Sequence, residues 1–243
     1  MRTAIISDIH GNCFALDKAL ADLREQRVSQ TVCLGDAIQG GPQPVQVVAR
    51  LQELGCPVVT GNADAWLLSG IDTSTVEEVT EKQIQTREWS LSQLSDVDRD
   101  YIRAFQPTVE VPLGGGKRLL CFHGSPYSFD DIILSETPEK DFHRFLDAFR
   151  PAIMAGGHTH MQQVRRLDNT FFFNPGSIGL AYNRHQPGEG FKADAWAEYA
   201  ILSCEAETLS LEFRRIPFDP NEYIQIMLSS GIPYAEDLAG RYK

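Results

Sequence analysis

The stretch AIISDIHGN, residues 4–12, joins a short apolar run to a polar exit. Ala4-Ile5-Ile6 has the character of a strand buried on both faces. Asp8 and His10 follow it at alternate positions, and Asn12 stands where an N-cap would open a helix. Residues 12 to 24 then place Phe14, Leu16, Ala19, Leu20 and Leu23 largely on one helical face. The same layout recurs down the chain. TVCL leads into Gly35-Asp36, PVVT into Gly61-Asn62, LLCF into His123-Gly124, and AIMA into Gly156-Gly157-His158-Thr159-His160.

Helical patterns separate several of these runs. Residues 42 to 54 open with prolines, which a first turn tolerates, and carry Val45, Val47, Val48, Leu51 and Leu54. Residues 139 to 149 put Phe142, Phe145, Leu146 and Phe149 at helical spacing. Strand alternating with helix predicts an α/β layer fold. Later, VRRL, TFFF, EYAIL and LSLEFRRI read as antiparallel strands joined by short turns. Residues 72–106 read as a polar helical cap or flank, and residues 217–243 as a C-terminal helical segment. No linker composition divides the chain, so residues 1–243 are expected to form a single domain.

At 243 residues and 42% hydrophobic content, the chain can bury a sizeable core. No run approaches the roughly 18 apolar residues of a membrane span, and the N-terminal run is too short for a signal-peptide core. Five scattered cysteines without a C-x-x-C pair argue against a disulfide framework or thiolate zinc site. They fit a reducing cytoplasm. The net charge of −11 excludes broad nucleic-acid affinity and docking on anionic membranes. An anionic substrate therefore needs a local positive centre, and a bound metal would provide one.

In open α/β folds ligands bind beyond the carboxyl ends of the strands, where Asp8, His10, Asp36, Asn62, His123, His158 and His160 would converge. Carboxylate, imidazole and amide oxygen without thiolate suit a pair of divalent ions such as Mn, Fe, Zn, Co or Ni. Taken singly, each piece has an ordinary reading: Gly-Asp as a turn, Asn62 as the N-cap of a helix starting at Ala63. Five strand exits in order, all delivering such donors, favour the metal reading.

This ordered series resembles the motifs of the calcineurin-like metallophosphoesterases, over residues 5 to 179. Asn174 to Gly179, NPGSIG, is similar to the small bacterial and archaeal phosphodiesterase branch. The resemblance implies a four-layer α/β/β/α sandwich of two mixed sheets flanked by helices, with two metals between the sheets. It implies that Asp8, His10 and His160 hold the first ion, that Asn62, His123 and His158 hold the second, and that Asp36 bridges both. A water between the ions would be the nucleophile on a small phosphorylated substrate, possibly a nucleotide.

Two departures qualify the resemblance. Many members carry a histidine after the Gly-Asn pair, thought to protonate the leaving oxygen; this chain has Ala63, which can donate no proton. Asp64 remains as a weak catalytic candidate, because a helix N-terminus favours its charged form. Relatives also often follow NPGSIG with a Pro-Arg pair whose arginine meets substrate phosphate, whereas this chain reads Leu180-Ala181-Tyr182-Asn183-Arg184. Gly11 and Asn12, at a helix start, are candidates to offer backbone N–H groups to phosphate, beside the plain capping role of Asn12. Trp66 and Trp89 read as core or rim aromatics, core favoured, and Trp89 or Arg87 would shape the pocket if the helices of residues 75–105 overhang the metal edge. The expected activity is hydrolysis of phosphodiester or phosphoanhydride bonds. A phosphomonoesterase or protein phosphatase is the runner-up, and a non-catalytic scaffold such as the retromer subunit of this fold is the alternative of another class.

Overall fold

Alternation within the short apolar runs sends neighbouring side chains into different cores. The computed structural model describes residues 1–70, 79–145, 149, 152–186, 190–205 and 208–243. One mixed sheet joins β1 (Arg2–Ile6), β2 (Gln30–Cys33), β8 (Trp196–Glu205) and β9 (Thr208–Pro217) in the order β2-β1-β8-β9. The other joins β3 (Val109–Gly114), β4 (Lys117–Cys121), β5 (Ile153–Ala155), β6 (Gln162–Leu167) and β7 (Thr170–Pro175) in the order β3-β4-β5-β7-β6. β1 runs parallel to β2, and β5 runs parallel to both β4 and β7. The remaining pairings are antiparallel.

Between the sheets lie Ile5, Val32, Leu34, Leu119, Cys121, Ala155, Phe173 and Leu202. Their neighbours point outward. Ala4, Ile6 and Ile201 meet α1 (Cys13–Glu25), α2 (Pro44–Leu54), α7 (Pro220–Ser229) and α8 (Ala235–Gly240). Leu120, Met154 and Phe172 meet Phe142 of α6 (Glu139–Arg144). This is the expected pair of mixed sheets flanked by helices. α1 is capped by Asn12, whose side chain accepts from Ala15 N at 2.9 Å, and α2 carries Pro44 in its first turn and is closed by left-handed Gly55.

The structure departs from the sequence reading, or leaves it untested, at three places. PVVT contributes no full strand: Val58 and Val59 make only isolated parallel bridges to Cys33 and Gln106. The helix read over residues 139 to 149 is described only as far as Arg144; Leu146 lies outside the described residues, and Phe149 is exposed. β3 was hidden because exposed residues, Pro112 and three glycines interrupt its apolar pattern. Within residues 72–106, 72–78 lie outside the described residues. The remainder forms α4 (Glu81–Gln93) and α5 (Asp96–Arg103), which contact α2 and α3 (Asn62–Ser69). Trp89 is half-buried against that helical core, and Arg87 Nε donates to Trp66 O at 2.7 Å. Among the described residues no helix is long and apolar enough to cross a membrane.

Candidate metal centre

Beyond the strand ends the loops hold one another through backbone bonds. Asp8, His10 and Gly11 donate to the carbonyls of Gly35, Asp36 and Ala37 at 2.9, 2.8 and 2.9 Å. Gly157 N donates to His123 O at 2.9 Å, and Gly179 N to Asp8 O at 3.0 Å. This lacing bends the chain sharply. Asp8, His10, Asp36, His158 and His160 all have positive φ, between 48° and 67°. They are five of the eight non-glycine residues in that region among the described residues, at about 1–3 kcal/mol of strain each. Strain therefore gathers where the predicted ligands are. Gly61 is required by close approach, because a Cβ there would collide with Asp36 Oδ1.

The side chains form two groups, Asp8-His10-His160 and Asp36-His123-His158. In the first, His160 Nε2 lies 3.3 Å from Asp8 Oδ1 and 3.0 Å from His10 Nε2. In the second, His123 Nε2 lies 3.4 Å from Asp36 Oδ2, and Asn62 Oδ1 lies 3.0 Å from His123 Nε2 and 3.1 Å from His158 Nδ1. Asp36 Oδ2 also lies 3.7 Å from His10 Nε2, so it faces both groups. All seven predicted ligands are brought together. Asn62 is the first residue of α3 and Gly61 its N-cap, so the capping role considered for Asn62 is not the one it fills.

The donor set fits cations. Nδ1 of His10, His123 and His160 sits 3.0, 2.8 and 2.7 Å from the carbonyls of Gln39, Leu34 and Leu180. Each carbonyl only accepts, so Nδ1 carries the proton and a neutral ring turns its Nε2 lone pair inward. His10 and His160 turn their Nε2 atoms toward each other at 3.0 Å, and although burial opposes charge on His160, the Asp8 carboxylate raises its pKa. Asp8 Oδ1 is buried with no hydrogen-bond partner, while Oδ2 accepts from Ser7 Oγ at 2.5 Å and His158 N at 3.2 Å. An ion shared among these atoms would give Asp8 Oδ1 the partner it lacks.

Electrostatics differ across the site. Burial opposes charge on His123, yet the Asp36 carboxylate beside it pushes its pKa up to about 10. Burial would raise Asp36, but His123 and then His10 hold it well below the usual carboxylate range. Burial lowers His10 and His158.

Two predicted roles do not survive the geometry. Gly11 N is taken by Ala37 O and Asn12 N by Ile9 O at 3.0 Å, so neither offers an N–H to phosphate. The Asn12 side chain is fully buried, capping α1 and donating to Gly179 O at 3.0 Å. Asp64 differs in charge from the expectation. Burial, and then Asp36, raise its pKa to about 7, outweighing the helix-terminal preference for the anion. Its oxygens accept from Ala37, Ile38 and Gly61 N–H at 3.0 to 3.3 Å, which ties it to the backbone.

Sequence reasoning missed the supporting partners. Asn174 Nδ2 donates to Gly157 O at 2.6 Å, and Ser177 Oγ donates to Asp8 O at 2.7 Å. The Tyr182 ring lies 5.4 Å from that of His160. NPGSIG was the available signal for Asn174 and Ser177; the carbonyls of Leu34, Gln39 and Leu180 carry no side-chain signature.

A profile of the Calcineurin-like phosphoesterase superfamily domain matches residues 1–205. The chain belongs to the calcineurin-like phosphoesterase superfamily. An uncharacterized protein of Methanocaldococcus jannaschii is 23% identical to this phosphoesterase-family chain, covering 95% of it and 93% of the relative. Among solved structures, a metallophosphoesterase from Sphaerobacter thermophilus superposes with a TM-score of 0.76 at 24% identity, and a hypothetical protein from Pyrococcus horikoshii with 0.80 at 20%. Each covers 99% of this chain and 97% of its own. The likeness of fold to these two structures extends through α7 and α8, past the end of the domain match.

Proposed function

We propose that this chain hydrolyses phosphodiester or phosphoanhydride bonds of small phosphorylated substrates at a centre of two divalent ions. Asp8, His10 and His160 would hold one ion, Asn62, His123 and His158 the other, and Asp36 both. The observation that carries this reading is Asp36 Oδ2 facing both groups while Asp8 Oδ1 is buried and unpartnered beside them. Imidazole, carboxylate and amide donors suit Mn, Fe, Zn, Co or Ni, and Mn²⁺ is the ion used in the tests below. Bound there, the ions would supply Lewis-acid activation of water and neutralise charge on the phosphoryl oxygens.

The protein's own residues set the limits of the chemistry. Backbone carbonyls orient three imidazoles, and Ala63 N fixes Asp36 by donating to Oδ1 at 2.7 Å. No proton donor stands at position 63, and Asp64 is held by backbone amides. General acid catalysis is typically worth about 10²–10⁴-fold, so the favoured substrates are those whose leaving groups need little protonation. Aryl esters and phosphoanhydrides meet that condition; phosphoserine does not. Five free cysteines are consistent with a reducing compartment such as the cytoplasm.

The deciding measurement is turnover of Mn²⁺-loaded protein on bis(nitrophenyl) phosphate and on phosphoserine. The diester is expected to be cleaved much faster, and Ala63→His is expected to raise phosphoserine turnover selectively, by about tenfold or more. Equal wild-type rates on both would defeat the leaving-group argument. No bound ion and no turnover would return the chain to the scaffold reading.

A further inference from the structure

His160 and Tyr182 also line a second cavity, of about 320 Å³, beside the metal centre. Its other walls come from the start of β6, the start of β8 and the end of β9. The volume falls near the lower end of the roughly 300–1,000 Å³ of small-molecule pockets, which suits one compact moiety.

Its polar groups are fixed from beneath. Glu198 is 4% exposed, and its Oε1 accepts from Trp196 Nε1 at 3.2 Å and pairs with Arg215 Nε at 2.8 Å. Arg215 Nε also lies 3.1 Å from Gln162 Oε1, and the guanidinium lies 5.2 Å from the centre of the Trp196 ring. Those partners use only Nε. Among the described residues, the two amino groups of Arg215 and the carboxylate of Asp194 have no hydrogen-bond partner. The backbone N–H of Asp194 donates to Ala181 O at 2.8 Å, which holds that residue on the rim. Tyr182 adds a second ring, 4.9 Å from Phe191.

The cavity thus combines two aromatic rings, a pre-oriented guanidinium and a carboxylate within its electrostatic reach, and it shares His160 with the metal centre. A plain aryl group would make no use of the Arg215 amino groups or of Asp194. A bare sugar phosphate would leave the rings unused, and a second phosphate would meet the Asp194 carboxylate. A flat heterocycle with donors and acceptors on its edge satisfies all of them, stacking on an aromatic ring as bases do. We propose that this cavity receives the nucleoside part of a phosphoester whose phosphoryl group sits at the metal centre. The proposal rests on the phosphoesterase reading above and names the substrate class, a nucleotide.

The test compares two diesters with one leaving group, the nitrophenyl ester of thymidine monophosphate and bis(nitrophenyl) phosphate. Wild-type protein with Mn²⁺ should show the higher kcat/KM on the thymidine ester. Trp196→Leu should lower the ratio of the two by about tenfold or more, the scale of losing one stacking platform. Asp194→Asn, nearly isosteric and on the rim, should lower it as well and guards against a folding defect in the tryptophan variant. A wild-type ratio near one, or a ratio that neither variant moves, overturns the proposal. Cleavage of neither diester would instead count against the phosphoesterase reading. In that case calorimetry of thymidine monophosphate on wild-type and Asp194→Asn protein decides the cavity by itself: weaker binding to the variant supports it, and equal or absent binding overturns it.

Discussion

Two residues separate Ile5, fully buried between the sheets in regular strand pairing, from Asp8, fully buried in a left-handed loop. Around Ile5 the chain follows its preferences: apolar side chains alternate between cores and every strand has a partner. Around Asp8 it does the opposite. Five strained residues, a carboxylate oxygen without a hydrogen-bond partner and two imidazoles facing at 3.0 Å share one edge of the sandwich. The interior is organised for stability, and the edge is organised for something the polypeptide does not itself contain. Strain at the edge is tolerated because the sheets beneath are complete.

The widest separation of the two regions should come from a core truncation. Phe173→Ala, between the sheets, is expected to destabilise by about 3–5 kcal/mol in chemical denaturation while leaving turnover per folded molecule intact. Loss of turnover without loss of stability would erase the distinction. The converse substitution is Asp36→Asn, which weakens the oxygen facing both groups. Diesterase activity should drop by more than about a hundredfold, beyond the 10–100-fold typical for outer partners of a metal ligand. Retained activity would remove Asp36 from the bridging role.

Next in size is the effect of the ions on stability. Adding Mn²⁺ to chelated protein at about a hundred times its dissociation constant should contribute about 2.7 kcal/mol, raising Tm by roughly 5–10 °C. His123 must lose its proton to bind an ion, and Asp36 raises its pKa to about 10 in the metal-free site. The Mn²⁺-induced shift at a fixed metal concentration should therefore be larger at pH 8.5 than at pH 6.5; a larger shift at the lower pH would contradict that coupling. The smallest effect is the most diagnostic. In chelated protein, Asp8→Asn keeps the shape of the side chain while removing the charge beside His160, so Tm should shift by no more than a few degrees as activity is lost. A pronounced fall in Tm would mean that Asp8 is a structural residue like Ile5.

Much of the site was legible because its donors sit where short apolar runs stop, and a run's end is visible in one dimension. Asp8, His10, Asp36, His123, His158 and His160 were all readable in that way. Asn62 was readable only through the series, since alone it resembled a cap. The cavity beside His160 was not legible: Trp196, Glu198 and Arg215 come from β8 and β9, far along the chain from His160, and their pairing depends on strand register. The roles of Gly11 and Asn12 were misjudged for a related reason. A backbone N–H is available to a ligand only if no other loop has taken it, and the loop that took Gly11's is Asp36-Ala37.

Sequence alone determined the strand-and-helix alternation, the seven donors and the missing proton donor at Ala63, because side-chain chemistry and hydrophobic period are local properties. Tertiary structure decided which oxygen faces both groups, which imidazole nitrogen turns inward, and what charge Asp64 favours. Each of those depends on distances of a few ångströms between segments far apart in the chain, and on the low dielectric that burial creates around them.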